Sequence, residues 1–112
     1  MSRAPEPPFD VRVTADDGRA LVHVSGELDL ATASRFQREL GAALAAGPVV
    51  LDLAALEFID SSGVRALDAV LRDADRGGRT LVVRDGIHEN VRQILAITGV
   101  LDELPLAREE AG

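Results

Sequence analysis

The seven residues Phe58-Ile59-Asp60-Ser61-Ser62-Gly63-Val64 set two hydroxyls and a carboxylate between a β-branched run and a stretch with helical period. Serine and aspartate favour the helix N-cap, where backbone N–H groups lack partners and the helix carries a partial positive charge. A hydroxyl at that point is exposed and lies beside a place suited to an anion. Asp60, Ser61 and Ser62 could also do no more than cap the helix. Composition and periodicity do not decide between these roles.

Other chemistry is poorly supplied. Ser61, either His23 or His88, and Asp29 are the residue types of a hydrolytic triad. The serine lacks the Gly-x-Ser-x-Gly elbow, and neither histidine is brought beside it by spacing. Asp16, Asp17, Asp29, Asp52 and Asp60 show no calcium-loop spacing, and both histidines are isolated. The chain has no cysteine, which removes thiol nucleophiles, thiolate metal sites and disulfides. No metal, cofactor or catalytic role is therefore expected, and the acids read as surface carboxylates.

The elements that would position Ser61 can be read from hydrophobic spacing. Val11, Val13 and then Leu21 to Val24 flank Asp16-Asp17-Gly18, the signal of a β-hairpin. Ala33, Phe36, Leu40 and Leu44 fall on one face of a helix over residues 31–46, which ends near Gly47-Pro48. The period returns in Val64, Leu67, Val70, Leu71 and Ala74, stopped by Gly77-Gly78, and in Ile87, Val91, Ile94, Leu95 and Thr98, stopped by Gly99. Val49 to Leu53 and Thr80 to Arg84 read as strands, with a last edge strand over Leu104 to Ala107. This order predicts an α/β domain, a hairpin followed by strands and helical crossovers in a mostly parallel sheet. His23, Ser25, Asp52 and Arg84 alternate with apolar residues, so the helices are expected mainly on one face.

Length and charge set the outer limits. At 112 residues the chain holds one domain, read here as residues 9–106, with a flexible arm over 1–8 and a short acidic tail over 107–112. Pro5, Pro7, Pro8, Arg3 and Glu6 leave no apolar leader, and no later segment has 18 uninterrupted apolar residues, so a cytoplasmic protein is expected. All 12 basic residues are arginine against 19 acids, and the formal net charge of −7 repels nucleic acid and anionic membranes. The expected partner is another protein.

Asp60-Ser61-Ser62-Gly63 resembles the Asp-Ser-(Ser/Thr)-Gly signature of the anti-sigma factor antagonists of the STAS family. Val24-Ser25-Gly26-Glu27-Leu28-Asp29 resembles the segment closing that family's second strand, and Thr98-Gly99 with Leu101 resembles its third-helix ending. The similarity spans about residues 9–106. It implies a small α/β domain with a sequentially wound sheet. It implies that Ser61 is phosphorylated by an ATP-dependent anti-sigma factor serine kinase, that the unphosphorylated form binds this kinase and frees the sigma factor, and that a serine phosphatase resets the switch. The contact surface it implies comprises Asp29, Asp60, Ser61, Ser62, Gly63 and Arg65. Asp29 matches an acid near the acceptor, although it could also cap the first helix. Arg65 stands where many members have a small residue, and reaches either toward Ser61, toward the partner or into solvent. Many members finish with a longer helix than the short acidic end here. Alternatives are a non-switching STAS interaction module in a scaffold or transporter complex and, more distantly, a serine hydrolase.

Overall fold

The computed structural model describes residues 9–107. Strands β1 (Asp10–Asp16) and β2 (Arg19–Leu28) form the expected antiparallel hairpin, joined by the two-residue turn Asp17-Gly18. There follow α1 (Ala33–Ala46), β3 (Val49–Ile59), α2 (Ser61–Arg76), β4 (Leu81–Arg84), α3 (Glu89–Thr98), a 3-10 turn at Leu101–Glu103 and β5 (Leu106–Ala107). The sheet runs in the order β1-β2-β3-β4-β5, and every pair after the hairpin is parallel.

That order explains where the helices lie. Three successive crossovers step one strand at a time in one direction, and right-handed connections of this kind put every helix on the same face. One cluster accordingly joins Val22, Val24, Leu51 and Val83 of the sheet to Phe36 and Leu40 of α1, Leu67 of α2 and Leu95 of α3. The cross-strand partners Arg12, His23 and Asp52 have the opposite parity and line the uncovered face together with Arg84. The polar positions in the strands mark this open face.

Several boundaries differ from expectation. β3 continues six residues past Leu53, because Ala55, Leu56, Phe58 and Ile59 pair with Ser25 to Leu28 of β2. α1 starts at Ala33 rather than Ala31, and α3 at Glu89 rather than Ile87. Leu104 lies outside the last strand, since the backbone first closes the 3-10 turn. Ala107, assigned to the tail, belongs to β5; the arm and the remaining tail lie outside the described residues.

Candidate functional site

In a parallel crossover sheet the C-terminal ends of the strands and the N-termini of the following helices share one edge. The ends of β2 and β3 meet there, Leu28 opposite Ile59, and each runs into a short polar segment. The β2–β3 register slips between Gly26 and Glu27, and Gly26 sits at φ 90°, where a side chain would be strained. This glycine lets β2 slip register just before the segment that carries Asp29.

Asp29 braces the turn into α1. Its Oδ1 accepts from the amides of Ala31 at 3.0 Å and Thr32 at 3.2 Å, and its carbonyl accepts from Ala33 N–H at 2.8 Å. The Thr32 hydroxyl accepts from Asp29 N–H at 2.9 Å and donates to the Glu27 carbonyl at 2.9 Å. Thr32, not Asp29, is the N-cap of α1. The capping role foreseen for Asp29 is thereby corrected: its carboxylate reaches amides in the turn before the helix, not inside it. Among the described residues Asp29 makes no hydrogen bond to Ser61. Thr32 escaped the sequence reading, although an aspartate three residues before a threonine at a helix start is a turn signal.

The start of α2 is capped by Asp60, whose Oδ1 accepts from Gly63 N–H at 3.0 Å. Asp60 N–H donates to the Leu28 carbonyl at 3.2 Å, tying the end of β3 to the end of β2. Two of the four amides left over at this helix start are thus satisfied, and those of Ser61 and Ser62 remain. Ser61 is the first helical residue and exposed; Ser62 is half-buried. Because Asp60 has taken the cap, the Ser61 hydroxyl makes no hydrogen bond with any described residue. Arg65, also exposed and one turn on, shares its helix face and forms no ion pair with a described residue.

Gly63 is needed for close approach. A Cβ built on it would lie 2.4 Å from the Leu28 carbonyl oxygen and 2.7 Å from Ile59 Cγ1. The first turn of α2 therefore rests on the β2 backbone, which joins Ser61 mechanically to the Asp29 turn. The histidines take no part. His23 Nδ1 faces Asp52 Oδ2 at 3.0 Å on the open sheet face, and His88 caps α3, its Nδ1 accepting from Asn90 N–H.

Residues 10–112 match the STAS domain family model. The chain belongs to the STAS domain family. The relatives of this STAS domain include the anti-sigma-F factor antagonist RsfB of Mycobacterium tuberculosis, 38% identical over 66 residues. That match covers 55% of this chain and 54% of RsfB, so the chain spans about half the length of that relative. BtrV of Bordetella bronchiseptica, described as an anti-sigma factor antagonist, is 31% identical over 101 residues, 87% of this chain and 86% of BtrV. The solved structure of an anti-sigma factor antagonist from Mycobacterium paratuberculosis superposes with a TM-score of 0.74 at 30% identity, covering 91% of this chain and 87% of the other.

In this STAS domain the six residues expected to form a contact surface come from two segments at one edge, Asp29 from the β2–α1 turn and Asp60 to Arg65 from the start of α2. They differ in what they offer. Ser61 and Arg65 are exposed, Asp60, Ser62 and Asp29 are half-buried, and Gly63 is buried and acts on the backbone. No described helix is long and apolar enough to cross a membrane.

Proposed function

We propose that this STAS domain is a cytoplasmic anti-sigma factor antagonist that works by partner switching. With Ser61 unmodified it binds an anti-sigma factor serine kinase and releases the sigma factor. The kinase phosphorylates Ser61 with ATP and the complex ends; a serine phosphatase resets the switch by hydrolysis. The observation that carries this reading is the Ser61 hydroxyl, exposed on the first residue of α2 and without a partner among the described residues.

In the transfer, Ser61 Oγ forms a bond to the γ-phosphorus as its bond to ADP breaks, and the hydroxyl proton goes to a base. No described histidine or acid of this chain is hydrogen-bonded to Ser61, so the kinase supplies that base. The net charge of −7 favours a protein partner over nucleic acid or an anionic membrane. Arg65 lies one turn from Ser61 on the same face of α2.

A phosphate adds about −1.5 to −2 charges at neutral pH. Near an orphan-amide helix start it is stabilised by about 0.3–2 kcal/mol, so the fold tolerates it. In a contact the same charge is covered by the partner and meets the partner's acids, whereas Asp60 and Asp29 already repel it in the free domain and add to the loss only as water is removed. Each like pair at about 6 Å costs roughly 3 kcal/mol at an effective dielectric near 20. Two such pairs with acids of the partner would amount to the ~5.5 kcal/mol that moves a population from 1:99 to 99:1.

The test is intact mass and peptide mapping after incubation with a candidate anti-sigma factor kinase and ATP. One phosphate on Ser61 is expected, absent in Ser61→Ala, which still binds the kinase. Phosphate confined to Ser62 would overturn the assignment. Binding without any incorporation would indicate a non-switching interaction module.

A further inference from the structure

We infer that Leu30 is the apolar anchor by which the unmodified domain grips the anti-sigma factor kinase, and that Asp29 and Thr32 are positioning residues acting through it. The inference rests on the antagonist reading of Ser61 and assigns the contact that gives the complex its affinity.

Leu30 is 79% exposed, in a domain whose core is filled by aliphatic side chains. An exposed leucine contributes nothing to that core. Its surroundings are nevertheless the most heavily braced turn in the described structure. The residues on either side are tied by the Asp29 carboxylate to Ala31 N–H, by Asp29 N–H to the Thr32 hydroxyl, and by that hydroxyl to the Glu27 carbonyl. Main-chain bonds from Thr32 and Ala33 to the Asp29 carbonyl close the turn. A polar side chain would be the ordinary occupant of such an exposed turn. Here the turn holds an apolar side chain out in water with its backbone already ordered, which lowers the entropy lost when a partner covers it. A leucine side chain that a partner covers fully is removed from water, which is worth roughly tenfold or more in affinity.

The position of the turn selects the partner. Leu28, two residues before Leu30, pairs with Ile59, accepts from Asp60 N–H and forms the floor under Gly63. The Leu30 turn and the Ser61 helix start are therefore one rigid unit. A kinase that brings its phosphoryl group to Ser61 Oγ must cover the adjoining surface. Ile97, 81% exposed in the last turn of α3, lies at the other end of its helix from the edge carrying Ser61 and serves as the control.

The experiment uses the anti-sigma factor kinase that phosphorylates the wild-type chain. Its affinity for the full chain is measured by calorimetry in a Ser61→Ala background, alone and with Leu30→Ala, Asp29→Ala, Asp29→Asn, Asp29→Ala with Leu30→Ala, and Ile97→Ala. Leu30→Ala is expected to weaken binding about tenfold or more, with Ile97→Ala within about twofold and both melting as the parent does. With Ser61 restored, Leu30→Ala should raise KM for phosphorylation by a similar factor and leave kcat nearly unchanged. Asp29→Ala should weaken binding, Asp29→Asn should restore most of it because its Oδ1 still accepts from the turn, and the double variant should bind about as Leu30→Ala does. Equal affinity for Leu30→Ala and its parent, with Ser61 still phosphorylated in wild type, overturns the anchor alone. An Asp29→Ala loss that persists undiminished without Leu30 overturns the positioning role. If no anti-sigma factor kinase binds or phosphorylates the wild-type chain, the antagonist reading falls and the anchor with it.

Discussion

Gly63 stands under two opposed demands. In the first turn of a helix alanine is favoured over glycine by about 1 kcal/mol. Against that, a Cβ at this position would lie 2.4 Å from a main-chain oxygen that already accepts from Asp60 N–H and so cannot move aside. Overpacking costs about 1–3 kcal/mol, and a 2.4 Å approach to a main-chain oxygen belongs in the upper part of that range, about 2–3 kcal/mol, which outweighs propensity. Gly63→Ala should therefore lower stability by about 1–2 kcal/mol, while Gly41→Ala, exposed in α1 with nothing within 4 Å of the new Cβ, should raise it by about 0.5–1 kcal/mol. Urea unfolding of the three proteins reads both signs, and a Gly63→Ala protein as stable as the parent would show that the β2 backbone yields. The presence of glycine in the signature was plain in the sequence. Its reason was not, because Leu28 lies 35 positions away in the chain and only the sheet brings it beneath the helix.

At the scale of elements, β3 is the member that carries the site, and it outlasts its neighbour. β4 pairs only with Val49 to Leu51, after which β3 runs on beside β2 alone. Asp52 sits at the fork. Its Oδ1 accepts from Ala54 N–H at 2.9 Å, and its Oδ2 faces His23 Nδ1 at 3.0 Å and an Arg84 guanidinium nitrogen at 3.5 Å. One side chain thus holds an amide where the β2–β3 register shifts between His23 and Ser25, and clasps the two neighbouring strands. Asp52→Asn keeps an acceptor for Ala54 and loses charge, so it should cost less than about 1 kcal/mol. Asp52→Ala also strips the exposed amide of its partner and should cost about 0.5–1.5 kcal/mol, with faster hydrogen exchange at Ala54 in this variant only. Exchange rates from NMR decide it; unchanged protection of Ala54 in Asp52→Ala would mean that water substitutes fully. Sequence alternation marked Asp52 as facing away from the core. That it stands at a fork could not be read, since β3 has no breaker at Leu53 and its further length is set by pairing with β2.

For the molecule as a whole, stability and the proposed kinase binding are expected to respond differently to charge at Ser61. The domain already carries a formal charge of −7, yet charges beyond a Debye length of about 8–10 Å are largely screened, so only groups around the helix start feel one more anion. Ser61→Asp places a carboxylate where the helix favours it, and its melting temperature should stay within a few degrees of the parent's, on the order of a change below 1 kcal/mol. In the contact proposed with an anti-sigma factor kinase the same carboxylate would be desolvated near Asp60 and Asp29, and affinity for that kinase is expected to fall by about 2–5 kcal/mol, roughly thirtyfold or more. Calorimetry with wild type, Ser61→Ala and Ser61→Asp beside thermal melts separates the two. Equal affinity for all three would place Ser61 outside the regulated surface, and a collapse in melting temperature would show the site to be buried.

The elements themselves were determined by the sequence. The 3.6-residue period places α1, α2 and α3 to within about two residues, the Asp17-Gly18 turn determines the hairpin, and strand alternation leaves one sheet face uncovered. These features depend on neighbours within a few positions, where side-chain spacing and backbone preference act directly. Tertiary structure decided what joins the ends of those elements. Asp60 rather than a serine caps α2, the Asp29 carboxylate serves the turn before α1 rather than the helix, and β3 extends to Ile59 because β2 is beside it. The Ser61 hydroxyl is left unbonded within the described chain for the same reason. Which polar group takes a given amide depends on where the β2 backbone runs beneath α2, and that is a distance through space between segments about 30 residues apart in the chain.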